Sequence, residues 1–139
     1  MKKLSSFAPH ILGITRIIAG VLFASHGAQK VLGAFGGPHA DAPLFVVWVA
    51  GLIELLGGSL IAVGLFTRQT AFLSSGLMAF GYFMAHAPRG FWPIQNGGEL
   101  AIVYCWLFLY FAAEGPGAFA IDNRLQRNRD ERIVWLRVA

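Results

Sequence analysis

Four apolar segments follow one another along the chain, separated by loops rich in glycine, proline and polar residues. The apolar segments cover about residues 8–32, 44–66, 70–87 and 99–113. The first three have the lengths of membrane-spanning helices, about 17–25 residues. The fourth is short, and we interpret its many aromatic residues as lipid contacts and core. The pattern predicts four helical spans in a single domain of residues 1–139, with a basic tail at residues 121–139.

The basic residues are distributed unevenly between the two sides that four spans would define. Lys2, Lys3, Arg68 and the arginines of the tail fall on one side, whereas Arg89 alone falls in the opposite loops. Because positively charged loops stay in the cytoplasm, both termini are expected there. The predicted fold is therefore all-α, an integral membrane four-helix up-and-down bundle in the inner (plasma) membrane with both termini cytoplasmic.

The composition also indicates a membrane protein. The chain is 56% hydrophobic and 13% charged, whereas soluble domains are about 25% charged, and its mean hydropathy is +0.60. The pI near 9.7 would suggest nucleic acid as the partner of a soluble protein. Basic residues at the chain ends fit anionic lipid headgroups instead, so we expect the lipid bilayer and no nucleic acid as a partner. The single cysteine, Cys105, excludes dithiol chemistry within one chain.

The first span carries ionisable residues inside its apolar run. On a helix with about 100° per residue, one stripe contains Arg16, Gly20, Phe23, Gly27 and Lys30, and His26 lies at its edge. A charge in hydrocarbon costs at least about 2.5–3.5 kcal/mol, so these groups must face protein, water or a ligand. Glycine recurs at every seventh position of this span, and this spacing lets a neighbouring helix approach closely.

Polar residues of the other spans are expected at similar depths in the membrane as those of the first span. At a rise of about 1.5 Å per residue, Glu54 of the second span lies between Arg16 and His26 in depth. Three other ionisable residues fall near the outer ends of their spans: Lys30, His86 and Glu99. The sequence thus predicts a polar funnel that opens outward, with Glu54 at its base. Either Arg16–Glu54 and Lys30–Glu99 are ion pairs that fix the helix register, or the funnel is a functional site, which we favour.

Two histidines raise the question of a bound cofactor. His26 and His86 lie at similar depth on spans that are diagonal in an up-and-down bundle, an arrangement that can hold a haem. A metal site of histidines and glutamates is a further alternative. His86, however, lies two residues before Pro88 at a span end, where a hydrogen-bonded histidine is usual. We therefore predict neither haem nor metal and leave the cofactor open, with a quinone as the candidate.

Short motifs of glycine and polar residues are spread over all four spans. They are Arg16, His26-Gly27 with Lys30, Glu54 with Gly57-Gly58, Gly64 with Thr67-Arg68, Gly97-Gly98-Glu99, and Gly115-Pro116-Gly117 with Asp122. Together they resemble the DoxX family of small four-span membrane proteins, over nearly the whole chain and in the family's order. The resemblance implies a four-helix inner-membrane bundle. It also implies that the family's polar constellation corresponds here to Arg16, His26, Lys30, Glu54 and Glu99.

The resemblance specifies the fold more closely than it specifies the reaction. The family takes its name from a subunit of a quinone-linked oxidase related to thiosulfate:quinone oxidoreductase, and other relatives are associated with membrane redox complexes or with assembly of partner proteins. We expect a subunit or accessory protein of a quinone-linked membrane oxidoreductase. The chain shows no electron acceptor of its own, so other membrane or peripheral redox subunits are expected as partners, and a homo-oligomer stays open.

The expected chemistry is proton exchange with a quinone. A quinol loses two protons as it gives up two electrons, and a buried carboxylate beside a histidine and a lysine can take up protons and hydrogen-bond the ring oxygens. The expected catalytic residues are Glu54 as proton acceptor and His26 as proton relay. Four further residues are expected to bind the substrate: Arg16, Lys30, Glu99 and His86. Arg16 is expected to set the charge of the Glu54 carboxylate, and the other three are expected at the mouth of the funnel.

Two other function classes remain open at this point. The protein could be a non-catalytic partner or assembly factor of a membrane complex, whose polar cluster only locks the bundle. It could also be a small transporter that uses Glu54 as a proton-coupling carboxylate. A transporter of this kind usually shows inverted sequence halves, and none are evident in this chain.

Overall fold

The computed structural model describes residues 2–37 and 43–138, with side chains for residues 4–37 and 43–130. Five helices account for most of these residues: α1 at Ala8–Leu32, α2 at Val46–Val63, α3 at Thr67–Gly81, α4 at Glu99–Glu114 and α5 at Ile121–Val138. Shorter helical turns lie at Lys2–Ser5, Ala34–Gly36, Tyr82–His86, Ala87–Arg89 and Pro93–Asn96. No strand occurs in the residues described, so the all-helical prediction is confirmed.

Helices α1 and α2 are both long and apolar enough to cross a membrane. Gly33, where φ is +69°, follows the last residue of α1, and Gly64, where φ is +72°, follows the last residue of α2. A glycine in this left-handed conformation stops a helix without the strain that a side chain would add. Within α2, two π-helical turns at Val46–Ala50 and Ile53–Gly57 precede regular α-helix.

Glycines bring α1 and α2 into backbone contact. A Cβ atom on Gly20 would lie 2.5 Å from the backbone nitrogen of Ala62. One on Gly27 would overlap the backbone nitrogen of Leu55. Only glycine permits so short a distance between the two helix backbones. The predicted close approach of a neighbouring helix to the glycine side of the first span is therefore confirmed, and that helix is α2.

The interior is small and aromatic, and it joins the α1–α2 pair to α3 and α4. The ring centre of Phe23 on α1 lies 5.6 Å from that of Tyr104 and 4.7 Å from that of Phe108, both on α4. Ser75 of α3 donates its hydroxyl to the backbone oxygen of Cys105 on α4 at 2.8 Å. Residues of all four helices therefore face a common interior.

The side chains are distributed as in a membrane protein rather than a soluble one. Large apolar side chains are exposed on the outer faces of the helices, among them Ile11, Ile14, Ile18, Val21 and Leu22 of α1, Phe72, Leu73 and Phe80 of α3, and Leu100, Val103 and Trp106 of α4. Several polar side chains are buried instead, namely Arg16, Glu54, Thr67, Ser74, Ser75 and Asn96. Apolar surface of this extent fits contact with lipid.

The start of α3 depends on Asp122 at the beginning of α5. Its carboxylate oxygens accept hydrogen bonds from the backbone N–H groups of Phe66 and Thr67, at 2.8 and 2.9 Å. The first N–H groups of a helix have no partner within the helix, so this carboxylate caps α3. The cap explains why α3 begins at Thr67 and not at residue 70 as predicted.

Asp122→Ala should lower the thermal stability of the protein, because loss of a helix cap costs about 0.5–2 kcal/mol. Asp122→Asn should have a smaller effect, since its amide keeps one acceptor oxygen. The control is Asp130→Ala, an exposed position on the same helix, which should melt like the wild type. Thermal unfolding in lipid nanodiscs, followed by circular dichroism, measures the difference, and equal melting temperatures for the two alanine variants would contradict the capping role.

Candidate functional site

A cavity of about 300 Å³ lies between the helices at the end where α2 and α4 begin, called here the loop end. The opposite end, which holds the helical turn Lys2–Ser5 and the start of α5, is called the terminal end. The cavity walls are mostly apolar or aromatic, with Phe23, Leu77, Met78, Leu100 and Tyr104 among them. Four of the ionisable residues predicted for the site also line it: His26, Lys30, Glu54 and His86.

Lys30 and Glu54 form an ion pair on the cavity wall. Nζ of Lys30 contacts Oε1 of Glu54. The side chain of Glu54 is 5% exposed, whereas that of Lys30 is 26% exposed. Oε2 of Glu54 is buried and has no hydrogen-bond partner among the residues described. The carboxylate therefore keeps an acceptor position that a ligand or a water molecule can occupy.

The geometry of α1 and α2 brings Lys30 and Glu54 together. Glu54 lies in the π-helical turn Ile53–Gly57, and such turns are frequent at functional sites. A Cβ atom on Gly51 of α2 would lie 2.9 Å from Cβ of Lys30. Because Gly27 and Gly51 let the two helices approach closely, the stem of Lys30 runs beside α2 and its ammonium reaches the carboxylate.

The alternative ion pairs Arg16–Glu54 and Lys30–Glu99 are not formed, because Lys30 takes Glu54 as its partner. Arg16 lies fully buried at the terminal end and does not line the cavity. Its guanidinium donates to five backbone oxygens, those of Ile61, Ala62, Pro116, Ala118 and Phe119. The last carbonyls of a helix have no partner within it, and the negative end of the helix dipole favours a cation. Arg16 thus anchors the end of α2 to the 116–119 segment.

Glu99 and His26 are more exposed than the predicted funnel implies. Glu99 is exposed in the first turn of α4 and does not line the cavity. A carboxylate at that position suits the positive end of the helix dipole. His26 does line the cavity, but its side chain is exposed, so it stands at the rim.

Asn96 organises the loop that carries His86, and sequence reasoning missed it. Asn96 is 3% exposed. Its amide donates to the backbone oxygen of Gly90 at 2.8 Å, and its side-chain oxygen accepts from the N–H of Gly98 at 2.8 Å. The backbone oxygen of Asn96 lies 3.1 Å from Nδ1 of His86, and a ring that donates from Nδ1 keeps Nε2 as an acceptor. The signal in the sequence was Asn96 followed by two glycines, which marks a turn but not these bonds.

The aromatic part of the cavity wall was also not predicted as part of the site. Phe23 and Tyr104 are both buried and both line the cavity. On α4, Tyr104 and Phe108 are buried one turn apart, whereas Trp106 and Tyr110 are exposed. The helical period of 3.6 residues separates the two sets, and it could have marked the inner one.

The cavity can bind a small ring with polar edges and exchange protons with it. Lys30 is a hydrogen-bond donor, Oε2 of Glu54 is an acceptor, and His26 and His86 can do either. Apolar pockets with a few convergent polar groups are typical of small-molecule sites. In the part of the chain that the structure describes, no group of three or more His, Cys, Asp or Glu side chains is arranged to hold a metal ion.

The sequence model of the DoxX family matches residues 11–87, more than half of the chain. The chain belongs to the DoxX family. The matched residues include α2, α3 and nearly all of α1, and with them the four ionisable residues that line the cavity. The family match therefore covers the cavity-lining residues of this DoxX protein except for Gly97 and those of α4.

Relatives of this DoxX protein include membrane proteins. An uncharacterized protein of Haemophilus influenzae is 43% identical, over 89% of this chain and 97% of its own length. The inner membrane protein YqjF of Escherichia coli is 30% identical, over 91% of this chain and 98% of its own. A Bacillus subtilis protein named "Putative oxidoreductase CatD" is 27% identical, over 78% of this chain and 82% of its own. No solved structure matches.

Proposed function

We propose that this DoxX protein is a four-span bundle of the plasma (inner) membrane with both termini in the cytoplasm. The exposed apolar faces of α1 to α4 support contact with lipid on all sides. Basic residues cluster at the terminal end, which the positive-inside rule assigns to the cytoplasm. The loop end, with the cavity, then faces outward. The name of the Escherichia coli relative, an inner membrane protein, agrees with this location.

The function that the cavity supports best is binding of a quinone headgroup, as a subunit or accessory protein of a membrane oxidoreductase. The observation that carries this proposal is the Lys30–Glu54 pair, whose buried Oε2 has no partner among the described residues, on the wall of an apolar and aromatic cavity. Its volume of about 300 Å³ suits a single ring, since pockets for larger ligands reach about 1,000 Å³. The Bacillus subtilis relative is itself named as an oxidoreductase.

Lys30 and Glu54 would supply the proton chemistry. Nζ of Lys30 donates a hydrogen bond to one ring oxygen, and Oε2 of Glu54 accepts a proton from a ring hydroxyl of the quinol. Oxidation of the quinol releases two protons, which leave through Glu54 and through His26 at the rim. Its two electrons pass to a redox partner subunit that carries the acceptor. Phe23 and Tyr104 pack against the ring and exclude water from it.

Glu54→Gln and Lys30→Met should each weaken quinone binding at least tenfold, or about 1.4 kcal/mol, because each removes a charged group that contacts a ring oxygen in the proposed binding mode. Binding of short-chain ubiquinone and menaquinone analogues to purified protein in nanodiscs, followed by calorimetry, measures this loss. The control is Glu114→Gln, which removes an exposed carboxylate from the other end of α4. It should bind like the wild type.

Two results would count against quinone binding. One is unchanged affinity in Glu54→Gln, and the other is no binding of either analogue to folded wild-type protein. If such a protein still co-purified with a membrane complex, a non-catalytic assembly role would account for it better.

A further inference from the structure

Three buried side-chain atoms in the described part of the chain have no hydrogen-bond partner: Oε2 of Glu54, Oγ1 of Thr67 and Oγ of Ser74. Thr67 and Ser74 are fully buried, and Glu54 is 4% exposed. Glu54 lies on α2 and the two hydroxyl residues lie on α3, which packs against it. Buried polar groups in native proteins are almost always paired, either within the protein or with ordered water.

The three residues lie along the interface between α2 and α3, called here the seam. Thr67 and Ser74 are about two helical turns apart, so they share one face of α3, with Thr70 between them. A Cβ atom on Gly57 of α2 would lie 3.0 Å from Oγ of Ser74 and 3.5 Å from Cγ2 of Thr70. The two α3 side chains therefore occupy the space beside Gly57, which is one turn from Glu54.

The seam reaches a second cavity at the terminal end. Oδ2 of Asp122 accepts a hydrogen bond from the backbone N–H of Thr67 at 2.9 Å. Asp122 also lines a polar cavity of about 830 Å³, together with Arg68 and Glu114. A carboxylate beside this cavity thus adjoins the first buried hydroxyl residue of the seam.

We propose that Thr67 and Ser74 hold a file of ordered water molecules that carries protons between Asp122 and Oε2 of Glu54. Each hydroxyl accepts one hydrogen bond and donates one, so a proton taken up at the Asp122 end is matched by one delivered to Glu54. No electron moves and no bond to carbon changes. The inference rests on the proposed topology, and it connects the cavity at the loop end to the cytoplasm.

Charged groups stand at both ends of this hydroxyl row. At the terminal end, Arg16 is held by five backbone oxygens, and Asp122 caps α3. At the other end, the ammonium of Lys30 contacts Glu54. Both carboxylates of the proposed path are therefore already held by hydrogen-bond donors of the protein.

Proton flux into liposomes that contain the Lys30→Met variant tests the hydroxyl row in the absence of quinone. The vesicles contain the pH dye pyranine, and a potassium diffusion potential drives protons inward. Lys30→Met should conduct faster than the wild type, because the carboxylate of Glu54 is then no longer bound to an ammonium and is free to exchange protons with the row. Adding Ser74→Ala should reduce this flux at least about tenfold, since it interrupts the file.

Ser59 provides the matched control. It is exposed on the outer face of α2, where its hydroxyl donates to the backbone oxygen of Leu55 at 2.7 Å. Lys30→Met with Ser59→Ala should conduct like Lys30→Met alone. Flux in Lys30→Met no faster than in empty vesicles, or flux that Ser74→Ala leaves unchanged, would overturn the proposal. Because quinone plays no part in this assay, its result and the result for quinone binding are independent.

Thermal stability gives a second test in the wild-type background, should Lys30→Met fail to fold. If water binds the hydroxyl groups, Thr67→Val and Ser74→Ala lose those hydrogen bonds, and their melting temperatures should be equal to or below that of the wild type. If the hydroxyl groups are dry and unpaired, removing them relieves a desolvation penalty. A rise in melting temperature in both variants would therefore overturn the proposal.

Discussion

Arg16→Met should destabilise the protein by on the order of 3 kcal/mol or more, because several buried carbonyl oxygens lose their donor and each unpaired acceptor costs about 1–3 kcal/mol. The guanidinium is fully buried, and its five acceptors belong to the end of α2 and to the 116–119 segment. Methionine fills a similar volume but offers no donor, so these carbonyls lose their common partner. Denaturation by sodium dodecyl sulfate, followed by circular dichroism, measures the loss.

Arg68→Met is the matched control for this effect. Arg68 also donates to backbone oxygens, those of Ala112, Ala113 and Glu114, but its side chain is exposed. Water can replace these hydrogen bonds, so a loss of about 1 kcal/mol or less is expected. Arg16→Lys should lie between the two, because an ammonium has three donors where the guanidinium has five. Equal stabilities of Arg16→Met and Arg68→Met would contradict the anchoring role of Arg16.

Gly27→Ala should disrupt both the fold and the cavity. A Cβ atom at this position would overlap backbone atoms of Leu55 and Gly51, which cannot turn aside as a flexible side chain would. The two helices must therefore separate, at a cost in the upper part of the range for overpacking, about 1–3 kcal/mol. Separation also moves Lys30 away from Glu54, so quinone binding should fall together with the melting temperature.

Gly76→Ala distinguishes this contact from the general effect of adding a methyl group. Gly76 lies inside α3, is exposed, and has nothing within 4 Å of the position of a Cβ atom. Alanine should stabilise a helix there by about 0.5–1 kcal/mol. A Gly27→Ala protein that melts and binds quinone like Gly76→Ala would show that α1 and α2 do not depend on this glycine contact.

The sequence predicted the helices and one polar funnel that contains His26, Lys30, Glu54 and His86, and these four residues line the cavity. Hydrophobic runs and a constant rise per residue are enough to place a side chain along the bundle axis. They do not place it around that axis. For this reason depth alone paired Arg16 with Glu54, although Lys30 on the same helix lies closer to the carboxylate.

Contacts made by the backbone were the part that the sequence could not predict. Every residue carries a carbonyl group, so nothing in the sequence marks the five that surround Arg16. The cap that Asp122 provides for α3 joins residues 55 and 56 positions apart, beyond any local signal. The glycines of α1 were a usable signal, because close helix approach follows from their spacing alone.

The cavity and the Lys30–Glu54 pair are central to the proposed function, and photolabelling in native membranes tests their role most directly. A photoreactive azidoquinone would be activated by light, and the labelled peptides would be identified by mass spectrometry. Quinone binding in the cavity predicts label on Phe23, Met78 or Tyr104, and its loss with excess unlabelled quinone and in Glu54→Gln. Label confined to lipid-facing side chains such as Leu22, Phe72 and Trp106, and unaffected by competition, would contradict the proposed function.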